Sequence, residues 1–221
     1  DYTSRENDST LLEVRSFGEG RVLLNGKEVT NWDGVLPRAL FFYLIDRGMV
    51  TRNEIFETFW PNLSIREATN VFHVTKRKIS EVLGLDLTAY WSGFYRISPD
   101  IELSYGVVSF TDMVQRSGVA SGEDVVDLLE QADQLYSGEF LSGMTMPWVL
   151  NRRVELGQDY GEALAGLAKA KEDLGHLKEA LGLYLRGAPH NRNRQDIITS
   201  IMNLYSELAL HEDALVACDR L

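Results

Sequence analysis

Between Arg66 and Gly84, side chains able to read a nucleic acid recur at helical spacing: Arg66, Asn70, His73 and Arg77. Thr69, Lys76 and Ser80 flank them on the same side of a helical wheel. Asparagine, arginine and lysine can make bidentate or charge-assisted contacts to base edges and phosphates in a major groove. The opposite arc, about 120° wide, holds Ala68, Val71, Phe72, Thr75, Ile79, Val82 and Leu83 and is built to pack. Val74 projects off that core, either toward a thymine methyl or under a neighbouring hairpin. The plainer reading of a basic run is a solvated charged face. The context on both sides lowers that reading here, and the spacing predicts a recognition helix.

The preceding residues supply that context. From Leu11 the apolar residues alternate (Leu12, Val14, Phe17, then Val22 and Leu24) up to Asn25-Gly26, a dipeptide that tolerates positive φ at both positions. Lys27 to Val29 returns as the partner strand of a small antiparallel sheet. Pro37 stands where a first helical residue should, and Arg38 to Arg47 is almost wholly apolar before a stop at Gly48. Thr51 followed by Glu54 is a capping box, with Ile55, Phe56, Phe59 and Trp60 at helical spacing until Pro61. A loop from Asn62 to Ile65 leads into the basic helix. After Gly84, Leu87 to Trp91 and Phe94 to Ile97 make a second hairpin around Ser92-Gly93. The order sheet, helix, capped helix, loop, basic helix, hairpin predicts an α+β winged helix-turn-helix domain.

Composition sets the bounds. The chain has 221 residues, 44% hydrophobic and 25% charged, enough for two small domains with real cores. Its formal net charge is −11, unevenly spread. Up to Asp100 there are 12 Lys+Arg against 14 Asp+Glu, and from Ile101 onward 10 against 19. The near-neutral half carries the basic helix, and the field that steers DNA is local to a face. The acidic half, at −9, suits protein or solvent. No apolar run approaches the roughly 20 residues of a membrane helix, and no signal peptide opens the chain. The single cysteine, Cys218, excludes an internal disulfide and makes the cytoplasm the natural compartment. None of His73, His176, His190 and His211 has a second ligand at metal spacing, so no metal and no cofactor are expected.

The second half reads as helices over Val108 to Gln115, Asp124 to Tyr136 and Trp148 to Leu174. Gly157, Gly161 and Gly166 either weaken the long one or allow close packing. Leu174, Gly175, Glu179, Ala180 and Leu181 recur as Leu208, Ala209, Asp213, Ala214 and Leu215, an offset of 34 residues that is the tetratricopeptide period. The expected organisation is a linker over residues 1–10, following something upstream, a winged-helix domain over 11–98, and an all-α tetratricopeptide-like domain over 101–221, cut inside its last helix.

Residues 11–98 resemble an OmpR-type DNA-binding domain. The resemblance rests on the Asn25-Gly26 hairpin, the helix after Pro37-Arg38, Val50 to Glu54 before Phe59-Trp60-Pro61, Ala68 and Asn70 with Ile79 and Leu83-Gly84, and Gly93 to Arg96. With the helices that follow, the chain resembles the Streptomyces antibiotic regulatory protein (SARP) family, whose second part is the bacterial transcriptional activator domain. Ile101-Glu102-Leu103 leading to Phe110, and Tyr136 to Leu141 before Trp148, carry that part of the resemblance. His73 and Thr75 to Lys78 differ from the family's commonest pattern. The resemblance implies an activator that binds direct repeats near promoters and contacts RNA polymerase.

The reading is then a transcriptional regulator that binds double-stranded DNA, as a homodimer on its site, through Arg66, Thr69, Asn70, His73, Lys76, Arg77 and Ser80. Thr51 and Arg52 are candidate phosphate contacts at a helix start, or an ordinary cap and a solvated arginine. Arg96 on the wing reaches phosphate or the minor groove, or is a surface strand residue. The rival reading is a protein-interaction adaptor whose helical half binds a partner while the winged domain docks or dimerises without DNA. An enzyme has little support: no Gly-rich phosphate loop follows a strand, and no nucleophile is set with a base and an orienting acid.

Overall fold

The computed structural model describes residues 10–218, with side chains as far as Leu210. All of the expected linker except Thr10 therefore lies outside the described residues. So do the side chains of His211, Asp213, Ala214, Leu215 and Cys218. The chain divides into two compact units, residues 1–107 with 141–148, and residues 108–140 with 149–221.

The first unit opens with strands β1 (Thr10–Arg15), β2 (Arg21–Leu24) and β3 (Lys27–Glu28). There follow α1 (Val35–Arg47), β4 (Met49–Thr51), α2 (Arg52–Phe59), α3 (Ile65–Leu83), β5 (Thr88–Trp91), β6 (Phe94–Ile97) and β7 (Ile101–Tyr105). Asn25 and Gly26 take φ of 49° and 79°, so the turn between β2 and β3 uses the positive-φ pair its sequence offers. Leu12 and Val14 of β1 are fully buried, as their alternation requires. Helix α1 is apolar around most of its girth and is buried from Ala39 to Ile45. Pro37 is its third residue, not its first. A proline fits anywhere in the first turn, where no N–H has an intrahelical acceptor.

Two pairings enlarge the sheets beyond the hairpins. Strand β7 runs parallel to β1, from Thr10 opposite Ile101 to Val14 opposite Tyr105, giving the order β3-β2-β1-β7. Residues 101–105, assigned by sequence to the helical half, thus complete the first unit's sheet. A parallel partner needs a long crossover, and everything from α1 to β6 supplies it. Strand β4 pairs with β6, giving the order β4-β6-β5. Residues 141–148 also belong here: the Leu141 and Ser142 amides donate to the carbonyls of Ser16 and Gly18, both at 2.8 Å.

The second unit is helical: α4 (Gly106–Ser117), α5 (Glu123–Leu135), α6 (Pro147–Asp173), α7 (Leu177–Gly187), a 3-10 turn at Ala188–His190, and α8 (Gln195–Cys218), with the first two residues of α4 and of α6 falling in the first unit. Ala168, Ala180, Tyr184, Ile197 and Leu204 form one core cluster, and Val126, Leu129, Ala163 and Leu167 another. The 34-residue match does not repeat in the backbone. Gly175 sits in the turn between α6 and α7 at φ 81°, whereas its counterpart Ala209 lies within α8. Alanine has no need of a turn, and the helix continues through it.

Candidate nucleic-acid interface

Helix α3 is fixed at both ends. Ser64 is its N-cap: its hydroxyl accepts from the Glu67 amide at 3.3 Å, and the Ser64 amide donates to the Glu67 carboxylate at 3.0 Å. The reading of Asn62 to Ile65 as plain loop missed this capping box, although Ser64-x-x-Glu67 is its sequence signature. At the other end Gly84 turns left-handed and its amide donates to Ser80 O.

Burial then divides the helix as its periodicity predicts. Ala68, Phe72, Thr75, Ile79 and Leu83 are buried, and Val71 and Val82 are half-buried. Phe72 meets Phe56, Trp60 and Tyr95 edge-on, at 6.0, 6.4 and 5.1 Å between ring centroids. The helix is thereby clamped between α2 and the β5–β6 hairpin. Arg66, Asn70, His73 and Arg77 are exposed, and Thr69, Lys76 and Ser80 lie half-buried at the border. Val74, 45% exposed, stands with the open side.

The candidate donors differ in how far the protein already engages them. Arg66 and Asn70 make no side-chain hydrogen bond or ion pair among the described residues. The His73 ring stands 5.7 Å from the neighbouring Phe72 ring. Arg77 faces Glu81 one turn on at 3.4 Å, with both side chains more than 60% exposed, a weak and easily exchanged pair. Lys76 stands 5.3 Å over the Tyr95 ring, which steers its ammonium toward the hairpin. Thr69 donates to Ile65 O at 2.6 Å. The Ser80 hydroxyl is committed to Asp86, at 2.9 Å, and lies beside that carboxylate. Lys78 pairs with Asp33 at 2.8 Å, so the basic triplet Lys76-Arg77-Lys78 splits three ways.

Thr51 and Arg52 separate as well. Thr51 caps α2, with its amide and hydroxyl both donating to Glu54 Oε2, at 2.7 and 2.6 Å. Those bonds hold the Glu54 carboxyl below the ordinary glutamate range, and the bonds from Ser64 do the same for Glu67. Both helix starts are therefore filled by the chain's own carboxylates. Arg52 is exposed, with its guanidinium 5.9 Å from the Phe56 ring.

The hairpin beside α3 holds residues that the sequence reading passed over. Ser92 and Gly93 take φ of 48° and 92°, the two positive values of a tight hairpin turn. On its inner face Tyr95 is buried against Phe72, with Val50 and Tyr90 in the same row. On the outer face Trp91 lies opposite Phe94, 56% and 37% exposed. Arg96 lays its guanidinium 5.5 Å over the Trp91 ring, and its Nε is buried without an acceptor among the described residues. The signal that could have exposed this pair was two adjacent aromatics on each side of the Ser92-Gly93 turn, because neighbouring strand residues point to opposite faces.

Among the described residues no group of three or more His, Cys, Asp or Glu side chains is placed to hold a metal ion. Among the described residues no helix is long and apolar enough to cross a membrane.

Comparison with known proteins adds a family. No curated protein sequence matches the chain significantly. Among solved structures, Mycobacterium tuberculosis EmbR, determined in complex with a low-affinity phosphopeptide, superposes with a TM-score of 0.72 over 96% of this chain at 17% identity. That likeness is one of fold, an α+β region with small sheets followed by helices, and the chain spans 58% of the EmbR chain. A family model described as the bacterial transcriptional activator domain matches residues 108–221, more than half of the sequence. The chain belongs to the bacterial transcriptional activator domain family.

Proposed function

We propose that this chain is a DNA-binding transcriptional regulator of the SARP type, and that the open face of α3 enters the major groove of double-stranded DNA. In this reading the first unit is an OmpR-type winged helix-turn-helix: α2 and α3 are the helix-turn-helix and the β5–β6 hairpin is the wing. The observation that carries it is the division of α3. Its core side is consumed by packing, while Arg66, Asn70, His73 and Arg77 are held exposed on a capped helix, Arg66 and Asn70 with no side-chain hydrogen bond or ion pair among the described residues and Arg77 in a weak pair only. Asn70 and Arg66 are the first candidates for base edges, with His73 and Arg77 beside them. Lys76, Arg52 and Arg96 are the candidates for phosphates at the groove walls. Thr51 and Ser80 drop to structural roles, since their hydroxyls already serve Glu54 and Asp86.

The acidic helical unit is the surface for the transcription machinery, RNA polymerase included. It takes a tetratricopeptide-like arrangement, on the strength of α6, α7 and α8 packing in succession rather than on the 34-residue period. Two protomers occupy direct repeats, in the cytoplasm. The adaptor reading keeps one specific support, the exposed Trp91–Phe94 pair, which suits a protein surface as well as a wing.

The test is the salt dependence of binding by the intact chain to duplex DNA. If roughly five phosphates are neutralised per protomer, the slope of log affinity against log salt is about −4 to −5. Weak, salt-insensitive binding favours the adaptor.

A further inference from the structure

The helical unit contains a hollow of about 410 Å³ that the DNA reading leaves unused. Three chain segments wall it: Tyr136 and Glu139 just after α5, Arg153 and Gly157 on α6, and His190 and Arg192 after α7. The size is that of a small-molecule site.

Its charge runs against its surroundings. From Ile101 onward the chain carries 19 acidic residues against 10 basic ones. Yet the hollow gathers two guanidiniums and an imidazole against one carboxylate. That carboxylate, Glu139, is 64% exposed and stands 3.9 Å from Arg153 Nε, so water screens it. Arg153 is only 17% exposed and is oriented by its Nε, which donates to Phe140 O at 2.8 Å. Arg192 is exposed and forms no ion pair among the described residues.

The walls are also rigid. Tyr136 stacks on Tyr160 at 3.8 Å and 6°, and the His190 ring stands edge-on to both. Asn191 fastens the His190 turn, its amide nitrogen donating to the carbonyls of Gly161 at 2.8 Å and Gly187 at 3.2 Å. Gly157 makes the room: a side-chain carbon there would lie 3.3 Å from His190 Nδ1. A half-buried arginine, an exposed arginine and a histidine on a fixed frame form a set that phosphate oxygens fit, because the Arg192 fork can match them bidentately while the Arg153 guanidinium adds positive charge to the wall.

We propose that this hollow binds a small phosphate-bearing ligand, clasped between α6 and the segment after α7, and so gives the helical unit an effector site separate from α3. Its ligand carries its phosphate either as a free diphosphate or as part of a nucleotide. The test is calorimetric titration of the intact chain, without DNA and at constant ionic strength, with inorganic pyrophosphate, with ADP and with succinate. The expected result is saturable binding of pyrophosphate or ADP at submillimolar concentration, with succinate at least tenfold weaker. Tighter binding of ADP than of pyrophosphate assigns a nucleotide, and equal or weaker binding assigns the free diphosphate. Arg192→Gln and His190→Gln are expected to weaken the preferred probe at least tenfold. Arg116→Gln, at an exposed arginine of the same unit paired with Asp112, should leave it unchanged. Absence of saturable binding by both phosphate probes overturns the proposal. So does succinate binding as tightly as they do, or an Arg192→Gln protein that melts normally and binds as before.

Discussion

Helices α3 and α6 are both long, and they use their helix-unfriendly and polar residues in opposite ways. In α6 the buried glycines are explained from within the protein. A side-chain carbon at Gly161 would lie 2.7 Å from His190 Cβ and 3.0 Å from the Asn191 amide nitrogen, so only glycine lets that turn close onto the helix. In α3 the packing face is equally well explained, by Phe72 among four aromatic rings or by the bonded Thr75 hydroxyl, which donates to Val71 O at 2.7 Å. Its other face is not. Arg66 and Asn70 make no side-chain hydrogen bond or ion pair among the described residues. Where packing accounts for every unusual residue the helix is scaffold, and where it leaves a row of donors unaccounted for the helix is a candidate reader.

Substitutions can break that contrast or sharpen it. The largest effect expected is from Phe72→Ala, which opens a cavity under α3 and should cost about 3–5 kcal/mol of stability in denaturant melts. Next comes Gly161→Val in α6, where crowding against His190 and Asn191 should cost about 1–3 kcal/mol. A Gly161→Val protein as stable as the parent would mean that the glycine is not required by packing. Ser64→Ala removes the N-cap of α3 and should cost about 1 kcal/mol. Arg77→Ala should shift stability by less than about 0.5 kcal/mol, because its pair with Glu81 is exposed.

The smallest effect is one of pH. Glu67, through its bonds to Ser64, has its folded pKa below the ordinary glutamate value. Its capping contribution is therefore complete above the ordinary carboxylate range and fades as pH falls through the lowered folded value. Melts of Glu67→Gln and the parent should differ at neutral pH and converge in acid. A constant difference across that range would remove the carboxylate from the cap.

How much of this was legible in the sequence depended on how local the cause was. The wheel of α3, the turns at Asn25-Gly26 and Ser92-Gly93 and the Thr51 cap depend on residues within a few positions, and the fold contains them. Strands β4 and β7 exist only because partners 43 or more positions distant in sequence, β6 and β1, complete their hydrogen bonds. A three-residue strand has no periodicity of its own to read. The return of residues 141–148 to the first unit is equally non-local. At the site, composition showed a basic triplet but not its partners. Only the fold brings Asp33 to Lys78, Tyr95 to Lys76 and Asp86 to Ser80.

The central claim is that the open face of α3 reads DNA, and Asn70→Ala tests it most directly. Binding to a selected duplex site and thermal melting would be measured on the same preparation. The account predicts an unchanged melting curve, affinity for the site weaker by about 1–3 kcal/mol, and relaxed preference at one base pair. An Asn70→Ala protein that melts normally and binds the site with undiminished affinity and preference would contradict it.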